Sequence, residues 1–294
     1  MSSKFSLRSG WIAAVVLLWF AAGFYPANEA KAEGYTKATW LWNTELIKTE
    51  AQEMLQFSAD HGINTIYLQT NSDIPASYYK SFIKQAGAMD IRVDALSGAP
   101  SWGLTSNRYK ITSFLDWVQA YQSGASEGEK FQGVHVDIEP HVLPQWKTDQ
   151  TSVIRQWQEN VEYLTEYVHE MKLPVAADIP FWLCNYTTAD GNSTLSRFMI
   201  SQYDSVAIMS YRDTADGIYS TAKRELEEAS YLGKPAFASV ETKPSSEGGF
   251  ITFYEEGKAY MDSQLVELQK LAQVNASFAG ISVHDLDGWR SLKD

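Results

Sequence analysis

Phe131-Gln-Gly-Val-His-Val-Asp-Ile-Glu-Pro140 alternates polar and apolar residues and then stops on a proline. Period-two alternation puts His135, Asp137 and Glu139 on one face of a strand and Val134, Val136 and Ile138 on the other. The run reads as a buried strand, predicted over Gly133 to Glu139. Unpaired buried charge is costly, so two carboxylates and an imidazole sharing one such face predict a site rather than a stabilising element.

Seven other short, β-rich runs flank this one: Ala38 to Trp42, Thr65 to Gln69, Arg92 to Leu96, Val175 to Ile179, Ser205 to Met209, Ala236 to Val240 and Gly280 to Val283. Helical patterns lie between them. Thr49 to Gly62 has apolar residues at helical spacing and ends on a glycine, while Ile154, Trp157, Val161, Leu164 and Val168 mark one face of a helix over Val153 to Met171. Glu255 to Val274 does the same before the last strand. Eight strands alternating with helices predict an α/β fold, a single (β/α)8 TIM barrel over residues 33–294. A doubly wound open sheet is the alternative, without a Gly-rich nucleotide loop to support it. No tract has linker composition, and no short repeat occurs, so one domain is expected.

Barrels of this kind carry function at the C-terminal ends of their strands. In chain order those ends hold Trp42 and Asn43, Gln69 and Asn71, Ser97 and Trp102, Asp137 and Glu139, then Asp178 and Trp182. Tyr211 and Asp213, Glu241, and finally His284 and Asp285 complete the circle. Aromatic faces stack on pyranose rings while carboxylates and amides bond the hydroxyls, so this composition suits a carbohydrate. The substrate-binding candidates are His135, Trp42, Gln69, Trp102, Asp178, Trp182, Asp213 and His284; Trp289 also follows a strand end.

Gln132-Gly-Val-His-Val-Asp-Ile-Glu139 resembles the fourth-strand signature of family-18 glycoside hydrolases, the chitinase-like group, whose pattern is D-G-x-D-x-D-x-E. Gly133, Asp137 and Glu139 match, and Gln132 and His135 replace the first two aspartates. Met209-Ser-Tyr-Arg-Asp213 is similar to that family's sixth-strand M-x-Y-D with one residue inserted, and Leu96-Ser-Gly98 is similar to its third-strand S-x-G-G. Gly280 to Gly288 resembles its eighth-strand ending, with His284 where the family has a tryptophan floor. The resemblance implies Glu139 as proton donor, Asp137 as the group that orients the substrate's own acetamido nucleophile, and Tyr211 as its assistant. Ile138-Glu-Pro140 with Glu241 also resembles retaining glycosidases that use strand-four and strand-seven glutamates. There Glu241 would be the nucleophile, with carboxyl groups roughly 5 to 5.5 Å apart.

A proton donor at neutral pH needs a raised pKa, and Asp137 is expected to raise that of Glu139 by like-charge repulsion. His135 would oppose the shift if charged, or fix Asp137 by a hydrogen bond if neutral. Glu241 could instead be a solvent-facing loop residue, and Tyr211 a cap on the barrel core.

Residues 1–32 read as a secretory leader, with Lys4 and Arg8 before an apolar run from Trp11 to Phe24 and Ala30-Lys-Ala32 as the cleavage signal. Export with cleavage after Ala32 is expected, and an extracytoplasmic location with it. The formal charge of −12 argues against nucleic acid or an anionic membrane as partner. The remaining chain is expected to be a monomer that needs no cofactor. Cys184 is the only cysteine and reads as a small semi-buried residue. The five histidines form no H-E-x-x-H or His-x-His pair, so no metal site is assigned. No G-x-S-x-G elbow occurs. The sequence therefore predicts a secreted glycoside hydrolase. Its alternatives are a non-catalytic, lectin-like glycan-binding barrel and, third, a metal-dependent amidohydrolase or deacetylase.

Overall fold

Eight parallel strands close into a barrel in the order β1 to β8: Thr36–Leu41, Thr65–Gln69, Arg92–Ser97, Val134–Val136, Val175–Pro180, Ser205–Met209, Ala236–Glu241 and Phe278–His284. The computed structural model describes Met1 and residues 35–294, so the leader and its cleavage site lie outside the described residues. A main helix follows every strand, α1 to α8: Ala51–Asp60, Ala76–Gly87, Arg108–Gly124, Gln150–Glu170, Leu195–Gln202, Ala215–Leu232, Lys258–Ala272 and Leu286–Ser291. This is the single (β/α)8 barrel that the strand count predicts. Among the described residues, no helix is long and apolar enough to cross a membrane.

The core has two layers. Outside the sheet, Val134, Val136 and Ile138 pack into one continuous cluster with Val161, Leu164 and Val168 of α4. These residues recur at helical spacing, so one stripe of α4 faces the strands, and a charge at Val161, which is 0% exposed, would break that seam. Inside the barrel, Trp40, Tyr67, Leu96, Ala207 and Phe237 form a second cluster. The register Trp40↔Tyr67, Leu96↔His135 and Ala207↔Phe237 sets these inward residues side by side on neighbouring strands. Helix α6 shows local sequence logic at both ends: the Thr214 hydroxyl accepts from the Gly217 amide at 3.3 Å, and Gly233 closes the helix at φ 66°.

Strand β4 is shorter than expected, with only Val134–Val136 in the ladder. The Asp137 amide still donates to Ser97 O at 3.1 Å, after which the chain turns at Glu139 (φ −115°, ψ 66°) into Pro140. The proline lacks an N–H and cannot extend the ladder. Asp137 and Glu139 therefore stand on the outgoing turn rather than within the strand.

Candidate active site

The floor of the barrel mouth is aromatic and tightly buried. His135 is fully buried, with Tyr67 stacked on its ring at 3.7 Å between centroids. Its Nε2 lies 3.0 Å from Asp178 Oδ1 at the end of β5, a contact at ion-pair distance that lacks hydrogen-bond alignment. Trp40 Nε1 donates to the other oxygen, Asp178 Oδ2, at 3.0 Å. His135 thus faces Asp178 and does not fix Asp137, whose buried Oδ1 has no hydrogen-bond partner.

Above that floor stand Asp137 and Glu139. Gly98, on the turn after β3, runs so close to the Asp137 backbone that any side chain there would collide with it, so the glycine seats Asp137. Burial, then the charge of Asp178, then that of Glu139, push the Asp137 carboxyl well above the usual carboxylate range. Glu139 is raised too, by burial and then by Asp178, a shift that only a charged His284 would oppose. Repulsion between Asp137 and Glu139 contributes as the sequence predicts, and Asp178 on the neighbouring strand adds to it on both carboxyls. His141 Nε2 lies 3.6 Å from Glu139 Oε2, and the His141 ring stands edge-on to Trp182 at 4.8 Å. Burial lowers the His141 pKa, which keeps the ring neutral beside the donor.

Tyr211 follows β6, held there by Ser210, whose hydroxyl donates to Ser239 O at 3.0 Å on β7. Its phenol is pushed up by burial and then by Asp178, Glu241, Asp137 and Glu139 in turn, so it sits within electrostatic reach of all four carboxyls. The hydroxyl stays protonated and can donate.

Glu241, at the end of β7, is not a solvent-facing loop residue. Its Oε1 accepts from the amides of Thr242 at 2.7 Å and Lys243 at 2.8 Å, and its Oε2 meets His284 Nδ1 at 2.9 Å. Trp42 Nε1 in turn lies 2.9 Å from His284 Nε2. Burial lowers the His284 pKa, but Glu241, then Asp285 and Asp178, outweigh it and the net direction is up. The indole N–H can only donate and so needs a lone pair at Nε2. An imidazolium would set two N–H groups head-on, so the geometry favours the neutral ring with its proton on Nδ1, directed at Glu241.

The other candidates separate. Gln69 and Trp42 line a recess of about 410 Å³ at the ends of β1 and β2, with Asn43 and Asn71, and Gln69 Oε1 is buried there without a partner. Asp213 sits on the β6–α6 connection, its amide donating to Phe250 O at 3.1 Å. Trp102 is a core residue instead: it packs on Phe114 outside the barrel, only 6% exposed, and its carbonyl accepts from Asn160 Nδ2. Trp289 is fully buried in α8, where it packs edge-on against Phe57 and His61. Trp40, Tyr67 and His141 were not among the sequence candidates, although Trp40 shares the period-two face of Trp42. A larger recess of about 520 Å³, lined by Gln150, Asn185, Tyr186 and Asp190, includes none of the four carboxyls. Among the described residues, no three His, Cys, Asp or Glu side chains converge as metal ligands.

No protein-family model matches the chain, and no curated protein matches it in sequence. Solved structures do. The barrel is similar to those of family-18 chitinases. A chitinase from Chromobacterium violaceum ATCC 12472 aligns at 12% identity over 87% of this chain and 96% of its own, with TM-score 0.56. The family GH18 chitinase of Cycas revoluta, solved as a complex with allosamidin, gives 12% identity, 86% and 95% coverage, and TM-score 0.56. An intracellular xylanase from Thermoanaerobacterium saccharolyticum gives 13%, 86% of each chain and 0.50. At these identities the likeness is one of fold.

Proposed function

We propose that this protein is a glycoside hydrolase, acting on a polysaccharide or cell-envelope glycan that contains N-acetylated amino sugars, with Glu139 as proton donor. The location we propose is extracytoplasmic, from the leader-like residues 1–32. One observation carries the mechanistic choice: both oxygens of Glu241 are already engaged, by two backbone amides and by His284, while the Tyr211 phenol is within electrostatic reach of Asp137 and Glu139. A nucleophile needs a free oxygen facing the anomeric carbon, and Glu241 would have to abandon His284 or two backbone amides to supply one.

In the route this geometry favours, protonated Glu139 gives its proton to the glycosidic oxygen as the bond from that oxygen to C1 breaks. The acetamido carbonyl oxygen of the same sugar, positioned by the Tyr211 hydroxyl, closes on C1, while the Asp137 carboxylate holds the acetamido N–H and offsets the positive charge that develops on the new ring. Glu139, now a carboxylate, takes a proton from the water that opens the ring, and configuration is retained. Like charge disfavours ionising Asp137 and Glu139 together, and the route needs the shared proton on Glu139 and the charge on Asp137.

The test compares aryl glycosides that share a leaving group and differ only at C2, acetamido against hydroxyl. Turnover confined to the acetamido sugar is expected, and equal turnover of both would contradict it. A second reading, glycan binding without turnover, is favoured by the unpartnered Asp137 Oδ1. Binding of the acetamido sugar with no product released would establish it.

A further inference from the structure

Arg212, the residue inserted into the sixth-strand motif, stands out among the cations of this acidic chain. The other half-buried arginines each have a carboxylate within reach: Arg92 with Asp94 at 2.8 Å, Arg108 with Glu159 at 4.0 Å, and Arg290 with Glu50 at 3.0 Å. Arg212 is half-buried too, yet among the described residues it pairs with none. Its guanidinium lies 5.4 Å from the centroid of Phe181 after β5 and 5.6 Å from that of Phe250 after β7. Nη1 donates to Tyr211 O at 2.6 Å. The Nε–Nη2 edge, the fork that takes a carboxylate or phosphate side-on, has no hydrogen-bond partner among the described residues. Phe250 is 56% exposed and offers an apolar face beside it.

We propose that Arg212 is a specificity residue that binds an anionic substituent, a carboxylate or a phosphate, on the glycan at or next to the cleavage point. The proposal rests on the glycan reading of the barrel mouth. Arg212 directly follows Tyr211, and Phe181 after β5 and Phe250 after β7 place its guanidinium on the C-terminal rim of the barrel that carries the carboxyl cluster. A guanidinium held between two rings keeps its planar fork fixed, and little side-chain freedom is lost when an anion docks. Lys243, the neighbouring rim cation, is already paired with Asp285.

Dissociation constants measured calorimetrically on the full chain carrying Glu139→Gln test this. Three matched N-acetylglucosamine oligomers are compared: neutral, bearing 3-O-lactyl carboxylates, and bearing 6-phosphates. At least one anionic oligomer is expected to bind about 10-fold or more tighter than the neutral one, as a bidentate charged contact allows. Whichever anion gains more identifies its source. Arg212→Met, which keeps the apolar contacts with both rings, is expected to erase that preference, and Arg212→Lys to restore part of it. Anionic oligomers that bind no better than the neutral one, or a preference that survives Arg212→Met, would overturn the proposal and leave the hydrolase reading standing. Failure of all three to bind would overturn both.

Discussion

Glu139 and Glu241 end strands of the same barrel in opposite chemical states. Glu241 has every oxygen answered, by two backbone amides and the His284 imidazole. Glu139 has one neutral imidazole at 3.6 Å, a raised pKa, and next to it an aspartate with a buried, unpartnered oxygen. A carboxylate that has its hydrogen bonds is a scaffold, and one held short of solvation is poised to exchange a proton. The comparison divides the mouth into a reactive side built on β4, β5 and β6 and a braced side built on β7, β8 and β1. In the second, Glu241 holds His284, and His284 holds Trp42 over its recess.

The largest effect expected is on turnover by Glu139→Gln, a fall in kcat of about 10³ on an aryl N-acetylglucosaminide. A fall below tenfold would erase the contrast between the two sides. Tyr211→Phe removes one donor to the acetamido oxygen and should lower kcat by about 10²-fold with KM little changed. A change confined to KM would return the tyrosine to a packing role.

Asp137→Asn sharpens the comparison through stability. The Asp137 pKa is raised in the fold, so above the ordinary aspartate pKa the folded protein holds a proton that the unfolded chain has released. The stability this contributes is present at acid pH and is lost as pH rises through the raised value. The asparagine variant should therefore lose activity yet melt higher at neutral pH, by about 1 kcal/mol, with the gain shrinking toward acid pH. An equal gain at every pH would show that the carboxyl is not strained. The smallest expected effect on function belongs to Trp102→Phe, which should cost about 1–3 kcal/mol of stability and leave KM unchanged, since the indole packs outside the barrel.

The eight strands were legible because parallel strands covered on both faces write short apolar runs, and the interleaved helices write a different period. The candidate carboxylates were legible for a related reason: Asp137 and Glu139 interrupt such a run where apolar residues would otherwise continue. What pairs with what was not. Whether His135 meets Asp137 or Asp178 depends on the β4–β5 register, which sets His135 level with Ala176 and brings Asp178 to its Nε2. Trp102 followed a strand end and so was expected at the mouth, but the turn Pro100–Gly103 swings it back onto α3, where Phe114 receives it. The engagement of Glu241 arises from amides of its own loop and a histidine on β8, neither of which leaves a local pattern.

The central claim is that Glu139, and not Glu241, performs chemistry. Single-turnover rates of Glu139→Gln and Glu241→Gln on one acetamido-bearing aryl glycoside, with folding checked by melting temperature, test it most directly. The first variant should lose about 10³-fold and the second less than about 10-fold. Equal losses, with the Glu241→Gln rate restored by an external nucleophile such as azide, would make Glu241 the nucleophile and contradict the account.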